Sequence, residues 1–518
     1  MSTTVVEPEG LFNFADWLLQ RNRSRPTRTA FIDDTERLTY GALDERVRRA
    51  AAGMLAAGLR RDERVLLLMH DNVDWPVMFL GALYAGVVPV AVNTLLTAED
   101  YAYMLQHSRA RAAWVSPALL PTLRQAMAQA QANGGHAVQQ VWCSGASADG
   151  AEALSALWQA EPMAAPASTD AHEPAFWLYS SGSTGRPKGT VHSQANLYST
   201  AELYGVGVLA LREDDVCFSA AKLFFAYGLG NALSFPLAVG ASVVLMAGRP
   251  TPEAVFERWV THQTTVFFGA PTGYAGMLAS PHLPAREAVA LRLCSSAGEA
   301  LPRELGERFT AHYGVPIVDG IGSTEMLHIF LSNLPNDVRY GSTGWPVPGY
   351  EVALRDDHGQ PVPDGEMGDL YIKGPSAALM YWGNREKSRA TFQGEWTKSG
   401  DKYVRNADGT YTYSGRSDDM IKVSGIYVSP FEVEATLMQH EAVLEAAVIG
   451  VEDSEGLTKT KAYVVLKDGR TCDAATLQAF VKDKLAPYKY PRQVVFITEL
   501  PKTATGKIQR FKLRDARA

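Results

Sequence analysis

Residues 179–189 read Y179-S-S-G-S-T-G-R-P-K-G189, entered from the apolar run A175-F-W-L-Y179 and followed by a helix-like stretch from Ser193. An apolar run that opens into glycines and hydroxyls and then into a helical pattern predicts a strand-to-helix turn. Such a turn suits phosphate. Gly182, Gly185 and Gly189 permit positive φ and close backbone approach, Ser180, Ser181, Ser183 and Thr184 add hydroxyl donors to the main-chain N–H groups, and Lys188 adds a cation. A Walker A loop is excluded, because counting from Gly182 its second glycine would fall on Pro187. The segment G205-V-G-V-L-A210 fits a relaxed dinucleotide fingerprint but follows a helical pattern instead of a strand, so it gives no nicotinamide site.

Outward from this loop, short apolar runs alternate with helix-length amphipathic segments between residues 60 and 320: V65-L-L-L-M69, V87-V-P-V-A91, A112-A-W-V115, V141-W-C143, Ala241 to Met246, T265-V-F-F268, L291-R-L-C294 and I317-V-D319. The alternation predicts an α/β fold of layered subdomains with largely parallel strands. From about Gly341 the pattern shifts to shorter strands and Gly/Asp/Pro turns, which predicts a β-rich subdomain over about 341–417. The last hundred residues read as a small α+β domain, with A446-A-V-I-G-V451 and K461-A-Y-V-V-L466 as strands. The expected division is therefore a large N-terminal domain, 1–417, and a small mobile C-terminal domain, 418–518.

The 518 residues are 46% hydrophobic and 20% charged, enough for several domains with large cores. Cys143, Cys217, Cys294 and Cys472 form neither CxxC pairs nor a disulfide framework, and no signal-like segment opens the chain, so a reducing cytoplasm is expected. Residues 223–248 lack charge, yet Gly228, Gly230, Asn231, Ser234, Pro236 and Gly240 interrupt them; a buried helix followed by a strand is expected instead of a membrane span. Net charge is −7, but residues 481–518 hold ten Lys/Arg against three Asp/Glu. Without interleaved aromatics this basic tail points to small anions such as nucleotides, not to nucleic acid.

The loop 179–189, G322-S-T-E325, S399-G-D401, G415-R-S-D418 and P501-K-T-A-T-G-K507, in this order and spacing, resemble the acyl-adenylate-forming superfamily of acyl-CoA synthetases, adenylation domains and luciferases over essentially the whole chain. The resemblance implies roles residue by residue. Ser180 to Gly185 and Lys188 would hold ATP phosphates. Glu325 would bind the Mg2+ that bridges them, an oxygen ligand for a hard cation. Thr324 would contact the α-phosphate or the substrate carboxylate. Ala297, Gly298, Glu299, Asp319, Ile321 and Gly322 would form the adenine wall; Ile321 replaces the family's usual tyrosine, so stacking there would be aliphatic. Asp401 and Arg416 would hold the ribose hydroxyls. Asp418 would be the hinge, and Gly425 would open the channel for the pantetheine arm of coenzyme A. Lys507 would be the principal adenylation residue: an ammonium about 4 Å from the joining anions contributes on the order of 4 kcal/mol at an effective dielectric near 20.

Ala226, Tyr227, Ile321, His328 and Ile329 are most similar to the acyl pocket of benzoate-CoA ligases, as is D319-G-I-G-S-T-E-M-L-H-I329; Phe225 stands where many relatives have histidine. Such a lining suits a flat, compact ring. The implied activity is ATP-dependent ligation of benzoate to coenzyme A through benzoyl-AMP, with ATP, Mg2+ and coenzyme A taking part. Other aryl acids such as 4-hydroxybenzoate, and the loading of an aryl group onto a carrier protein, stay open at this stage. Small molecules are the expected partners, with no nucleic acid or membrane, and a homodimer is compatible with the sequence.

Overall fold

The computed structural model describes residues 5–148, 150–182, 185–417, 419–423, 426–452, 458–485, 489–502 and 508–515. Two large sheets dominate the first two thirds of the chain. One runs, edge to edge, through Met380–Tyr381, Gly185–Ser193, Pro174–Gly182, Val88–Ala91, Arg64–Leu68, Ala112–Val115, Gln140–Cys143 and Glu152–Ala153. The other runs through Trp345–Pro346, Ile329–Ser332, Ile317–Gly322, Leu293–Ser296, Val266–Gly269, Val216–Ser219, Ser242–Val244, Thr29–Ile32 and Arg37–Thr39. The inner strands of both pair in parallel, as the sequence alternation predicts.

Period-two side-chain alternation builds the layers. Val65 and Leu67 face a core shared by both sheets, whereas Leu66 and Leu68 face the helices Ala98–Ser108 and Leu120–Ala132. In the second sheet Val266 and Phe268 face the shared core, and Phe267 packs outward with Trp259 and Tyr274. Between the sheets lies the helix Asp74–Ala85, buried at every residue from Trp75 to Ala85. That is why its sequence is apolar all round instead of striped. Truncating a side chain in this layer, such as Leu80→Ala, costs about 2–5 kcal/mol.

The uncharged stretch is three consecutive short helical pieces, Ala226–Leu229, Gly230–Ser234 and Phe235–Val239, followed by the strand Ser242–Val244. Among the described residues no helix is long and apolar enough to cross a membrane.

Between Glu351 and Arg416 the chain forms an antiparallel five-stranded sheet. The β-rich region is not self-contained, however: Trp345–Pro346 and Met380–Tyr381 add edge strands to the two α/β sheets. The C-terminal domain is small and α+β. Val443–Glu452, Thr458–Leu466 and Gln493–Phe496 form its sheet, and the helices Pro430–Met438 and Ala474–Lys484 bury Val433, Leu437, Leu477 and Val481 in its core.

Candidate active site

The expected strand-to-helix turn is corrected by the structure. Pro174–Gly182 and Gly185–Ser193 form an antiparallel hairpin, with Ser180 opposite Lys188 and Gly182 opposite Gly185, and the helix begins only at Gln194. Glycines and hydroxyls suit a hairpin tip and a strand-to-helix turn equally, so residue type alone could not separate them. The second strand is held on both sides: Val191 and Thr190 also pair with Met380 and Tyr381.

This pairing assembles a charged cluster. Tyr381 donates its hydroxyl hydrogen to Glu325 Oε1 at 2.7 Å, while Lys188 Nζ lies 3.8 Å from the same oxygen, 3.3 Å from the Tyr381 oxygen and 4.4 Å from the centre of its ring. Burial pushes the Glu325 carboxyl up, but the Lys188 ammonium and the Tyr381 hydroxyl together hold it below its ordinary value. The Lys188 ammonium is also lowered: burial pushes it down against the pull of Glu325, and the positive charges of Lys387 and Arg416 add to the effect. Arg416 is itself paired with Asp401, so the cations around Lys188 are partly compensated within the protein.

Thr324 precedes Glu325 in a tight turn in which Leu327 takes a φ of 63°. Its carbonyl accepts the Leu327 N–H at 3.2 Å and pairs with His192 Nε2 at 2.7 Å. Burial lowers His192 to about 4, so the ring is neutral.

Asp319 and Ile321 lie on the strand Ile317–Gly322, beside the segment that leaves Leu293–Ser296 through Ala297, Gly298 and Glu299. Gly298 has a φ of 94°, and Glu299 accepts a 2.9 Å bond from Thr272. Asp319 is buried, and its Oδ1 has no hydrogen-bond partner; burial pushes the carboxyl well above its usual range. Asp401 stands opposite Arg416 across two antiparallel strands, with 3.3 Å between carboxylate and guanidinium.

The acyl-pocket candidates also meet. The Tyr227 and His328 rings lie 5.5 Å apart, and His328 packs on Phe235 at 4.4 Å and Tyr204 at 5.4 Å. Tyr227 donates to Ser295 Oγ at 3.1 Å, and His328 Nε2 meets the Tyr227 carbonyl at 3.2 Å. Because a carbonyl only accepts, that nitrogen carries the hydrogen, and the buried Nδ1 is an acceptor without a partner. Only glycine fits at 230, since a Cβ there would stand 2.4 Å from His328 Cδ2. Ala226 opens the helix beside Tyr227, Ile329 is buried, and Ile321 is half-buried against the shared core.

Ser183, Thr184, Asp418, Gly425 and Lys507 lie outside the described residues; Ser181, Gly182 and Gly185 are strand positions of the hairpin. Tyr381, His192 and Asn196 went unnoticed in the sequence. The only trace of the last two is their spacing of four at a helix start.

A two-sheet α/β body with a glycine- and hydroxyl-rich hairpin and a half-buried carboxylate beside a lysine, joined to a small α+β domain, has the architecture of adenylate-forming enzymes. The chain belongs to the AMP-binding enzyme family, whose model matches residues 18–382, and the model of the AMP-binding enzyme C-terminal domain matches residues 432–507. It is 55% identical to a benzoate–CoA ligase of Thauera aromatica across 98% of this chain and 96% of that one. It is 46% identical to a 4-hydroxybenzoate–CoA/benzoate–CoA ligase of Rhodopseudomonas palustris across 97% and 94%. Among solved structures, a benzoate CoA ligase from Burkholderia xenovorans LB400 superimposes with a TM-score of 0.91 at 60% identity, covering 97% of this chain and all of that one (100%). An anthranilate CoA ligase in complex with anthranoyl-AMP gives 0.93 at 41% identity, covering 100% and 98%.

Proposed function

We propose that this protein is a benzoate–CoA ligase: benzoate attacks the α-phosphorus of ATP, pyrophosphate leaves, and the thiol of coenzyme A then attacks the carbonyl carbon of benzoyl-AMP and expels AMP. The observation that carries the reading is the aromatic cluster at the expected acyl site. Tyr227 and His328 pack with Phe235 and Tyr204, and the imidazole lies where a side chain at 230 would have to go. Such aromatic surroundings suit a flat ring better than a flexible chain.

Activation is needed because a carboxylate is a poor electrophile with a poor leaving group, and the mixed anhydride cures both. Lys188 and the hairpin backbone hold the phosphates, and Thr324 contacts the α-phosphate. The unpartnered Asp319 oxygen suits the exocyclic amino group of adenine, with Ala297, Gly298, Glu299 and Ile321 as the wall, and the Asp401–Arg416 pair binds the ribose hydroxyls. Glu325, whose anionic form Lys188 and Tyr381 favour, would hold Mg2+, which would supply charge neutralisation at the phosphates.

Lys507 neutralises the anions as they join, and Asp418 is the hinge that exchanges Lys507 for the channel at Gly425 once pyrophosphate has left. The flanks of 418 support this. Ser417 is tied to the body, its N–H to the Gly400 carbonyl at 2.9 Å and its Oγ to Asp369 at 2.8 Å. Asp419 is tied to the C-terminal helix by Arg514 at 2.7 Å. The reducing cytoplasm suits four free cysteines.

A hydroxybenzoate is the second reading, favoured by one observation: the buried, unpartnered His328 Nδ1 can accept a hydrogen bond from a ring hydroxyl. Pyrophosphate release over benzoate, hydroxybenzoates, cinnamates and fatty acids, with free coenzyme A as acceptor, separates these readings. Benzoate should give the highest kcat/KM. Preference for a fatty acid, or no release with any acid, sinks the proposal, and adenylation without transfer to free coenzyme A points to a carrier protein.

A further inference from the structure

Four buried groups just beyond the phosphate hairpin form a hydrogen-bonded relay. The Ser193 hydroxyl donates to Asn196 Oδ1 at 2.8 Å, Asn196 Nδ2 donates to His192 Nδ1 at 2.8 Å, and His192 Nε2 donates to the Thr324 carbonyl at 2.7 Å. The directions are set by chemistry. A carbonyl cannot donate, so Nε2 carries the hydrogen and Nδ1 accepts; Nδ1 can accept only from an amide nitrogen, so the Asn196 oxygen faces the serine. His192, Ser193 and Asn196 are 0%, 1% and 3% exposed, and the imidazole stacks on Phe176 at 5.3 Å and 19°. The ring has no freedom to flip without stranding two buried groups.

The relay ends at one peptide plane. The Thr324 carbonyl belongs to the peptide that joins Thr324 to Glu325, so fixing its direction fixes ψ of Thr324 and φ of Glu325, and with them where both side chains project. The same asparagine also donates to the Ala377 carbonyl at 3.1 Å, and Ala378 donates its N–H to the Glu325 carbonyl at 2.8 Å. Three segments thus meet at His192 and Asn196: the strand that carries Lys188, the turn that carries Thr324 and Glu325, and the stretch that leads into Tyr381.

We propose that His192 is a positioning residue of the adenylation site, which holds the Thr324–Glu325 peptide in the one orientation that sets the threonine hydroxyl and the carboxylate against the phosphates. The inference rests on the roles of Thr324 and Glu325 given above. It differs from simple core packing in needing a donor at Nε2 and an acceptor at Nδ1, not merely an aromatic ring.

The test compares two substitutions. His192→Phe keeps the ring and its stack on Phe176 but removes both polar atoms; His192→Gln can still donate to Thr324 while its oxygen accepts from Asn196. In ATP–pyrophosphate exchange with benzoate, His192→Phe should lower kcat about 10- to 100-fold with KM for ATP changed by less than about threefold, the size of loss that small misplacement of a reacting group causes. His192→Gln should restore most of that rate, and conversion of supplied benzoyl-AMP by coenzyme A should be less affected than exchange in both. Equal losses in the two variants, or exchange within about threefold of the parent in His192→Phe, overturn the proposal. Should the parent exchange with no acid, the functional reading fails first, and the relay is read instead from imidazole 15N shifts and AMP binding. A neutral, Nε2-protonated signal that disappears in His192→Gln, with AMP binding kept within about threefold in both variants, supports it; an Nδ1-protonated ring overturns it.

Discussion

The body and the C-terminal domain hold their chemistry by different means. In the body the key groups are buried and joined by short, directed hydrogen bonds: Glu325 to Tyr381, His192 to Thr324, Tyr227 to Ser295. In the C-terminal domain ion pairs join the late segments, beside an apolar cluster that buries Leu500 and Leu513. Arg510 chelates Glu434 at 2.8 Å and reaches Asp419 at 3.5 Å, Arg514 meets Asp419, and Lys489 meets Glu432 at 2.7 Å. Directed bonds between buried groups preserve one geometry, which suits a site that must be ready before ATP arrives. A domain tied within itself by ion pairs as well as by its core can turn as a unit without melting, as the proposed exchange between two half-reactions requires.

The sharpest way to break this comparison is at Lys507. Lys507→Ala should slow benzoyl-AMP formation by roughly a hundredfold or more and leave conversion of supplied benzoyl-AMP largely intact. Single-turnover measurement of each half-reaction checks this, and equal losses in both would remove the division of labour between the two regions. Next in size is a cost of burial in the body. Asp71 accepts the Leu223 N–H at 3.3 and 3.2 Å with its two oxygens, and burial pushes its carboxyl from 3.8 up to about 6 against the pull of Lys222. The folded state then holds the proton more tightly than the unfolded one, so stability falls as pH rises through this window, by about 3 kcal/mol for the full shift. Asp71→Asn removes the ionisation, and its stability relative to the parent should grow by that amount between pH 4 and pH 7 in urea titrations. A difference that stays constant with pH refutes it.

Gly230→Ala tests the acyl site on a smaller scale. The added methyl meets the His328 ring at 2.4 Å, so the imidazole must move, at a cost of about 1–3 kcal/mol. KM for benzoate should rise while KM for ATP stays near the parent value; a matching rise in both would mean that the acyl site and the nucleotide site are not separate.

Most of the parallel strands were legible, because a strand covered on both faces reads as a short unbroken apolar run, as in Arg64–Leu68 and Ala112–Val115. The return strand Gly185–Ser193 was not, since Arg186, Lys188, Gly189 and Thr190 hide its pairing, and only its neighbour Met380–Tyr381, almost two hundred residues away, reveals it. Tyr381 was invisible for the same reason: a tyrosine in a two-residue edge strand carries no local signal of the carboxylate it meets. Glu325 and Asp401 were singled out through the resemblance of G322-S-T-E325 and S399-G-D401 to family motifs, and the structure sets the first beside Lys188 and the second opposite Arg416. His192 and Asn196 look like ordinary residues around a helix start until the Thr324 carbonyl is seen opposite them.

The smallest expected effect falls on the boundary itself. Ser417 bonds to Gly400 and Asp369 in the body, and Asp419 bonds through its side chain to Arg510 and Arg514 beyond it; the N–H groups of Asp419 and Met420 also reach the Arg416 carbonyl at 3.1 Å, so a rotation about 418 has to give up those two bonds. Asp369 can anchor Ser417 because Lys398 and Lys402, each 2.9 Å away, keep its carboxyl ionised and below the ordinary range although burial opposes this. Asp418→Pro locks φ at one value without touching either anchor. Adenylation should stay within about threefold of the parent, whereas coenzyme A transfer from benzoyl-AMP should slow by roughly tenfold, because only the second half-reaction requires the turned domain. Should rapid-quench measurements find transfer unimpaired, the rotation takes place elsewhere in the chain. Impairment confined to adenylation would mean that the substitution traps the domain in its second orientation, which still locates the pivot at 418.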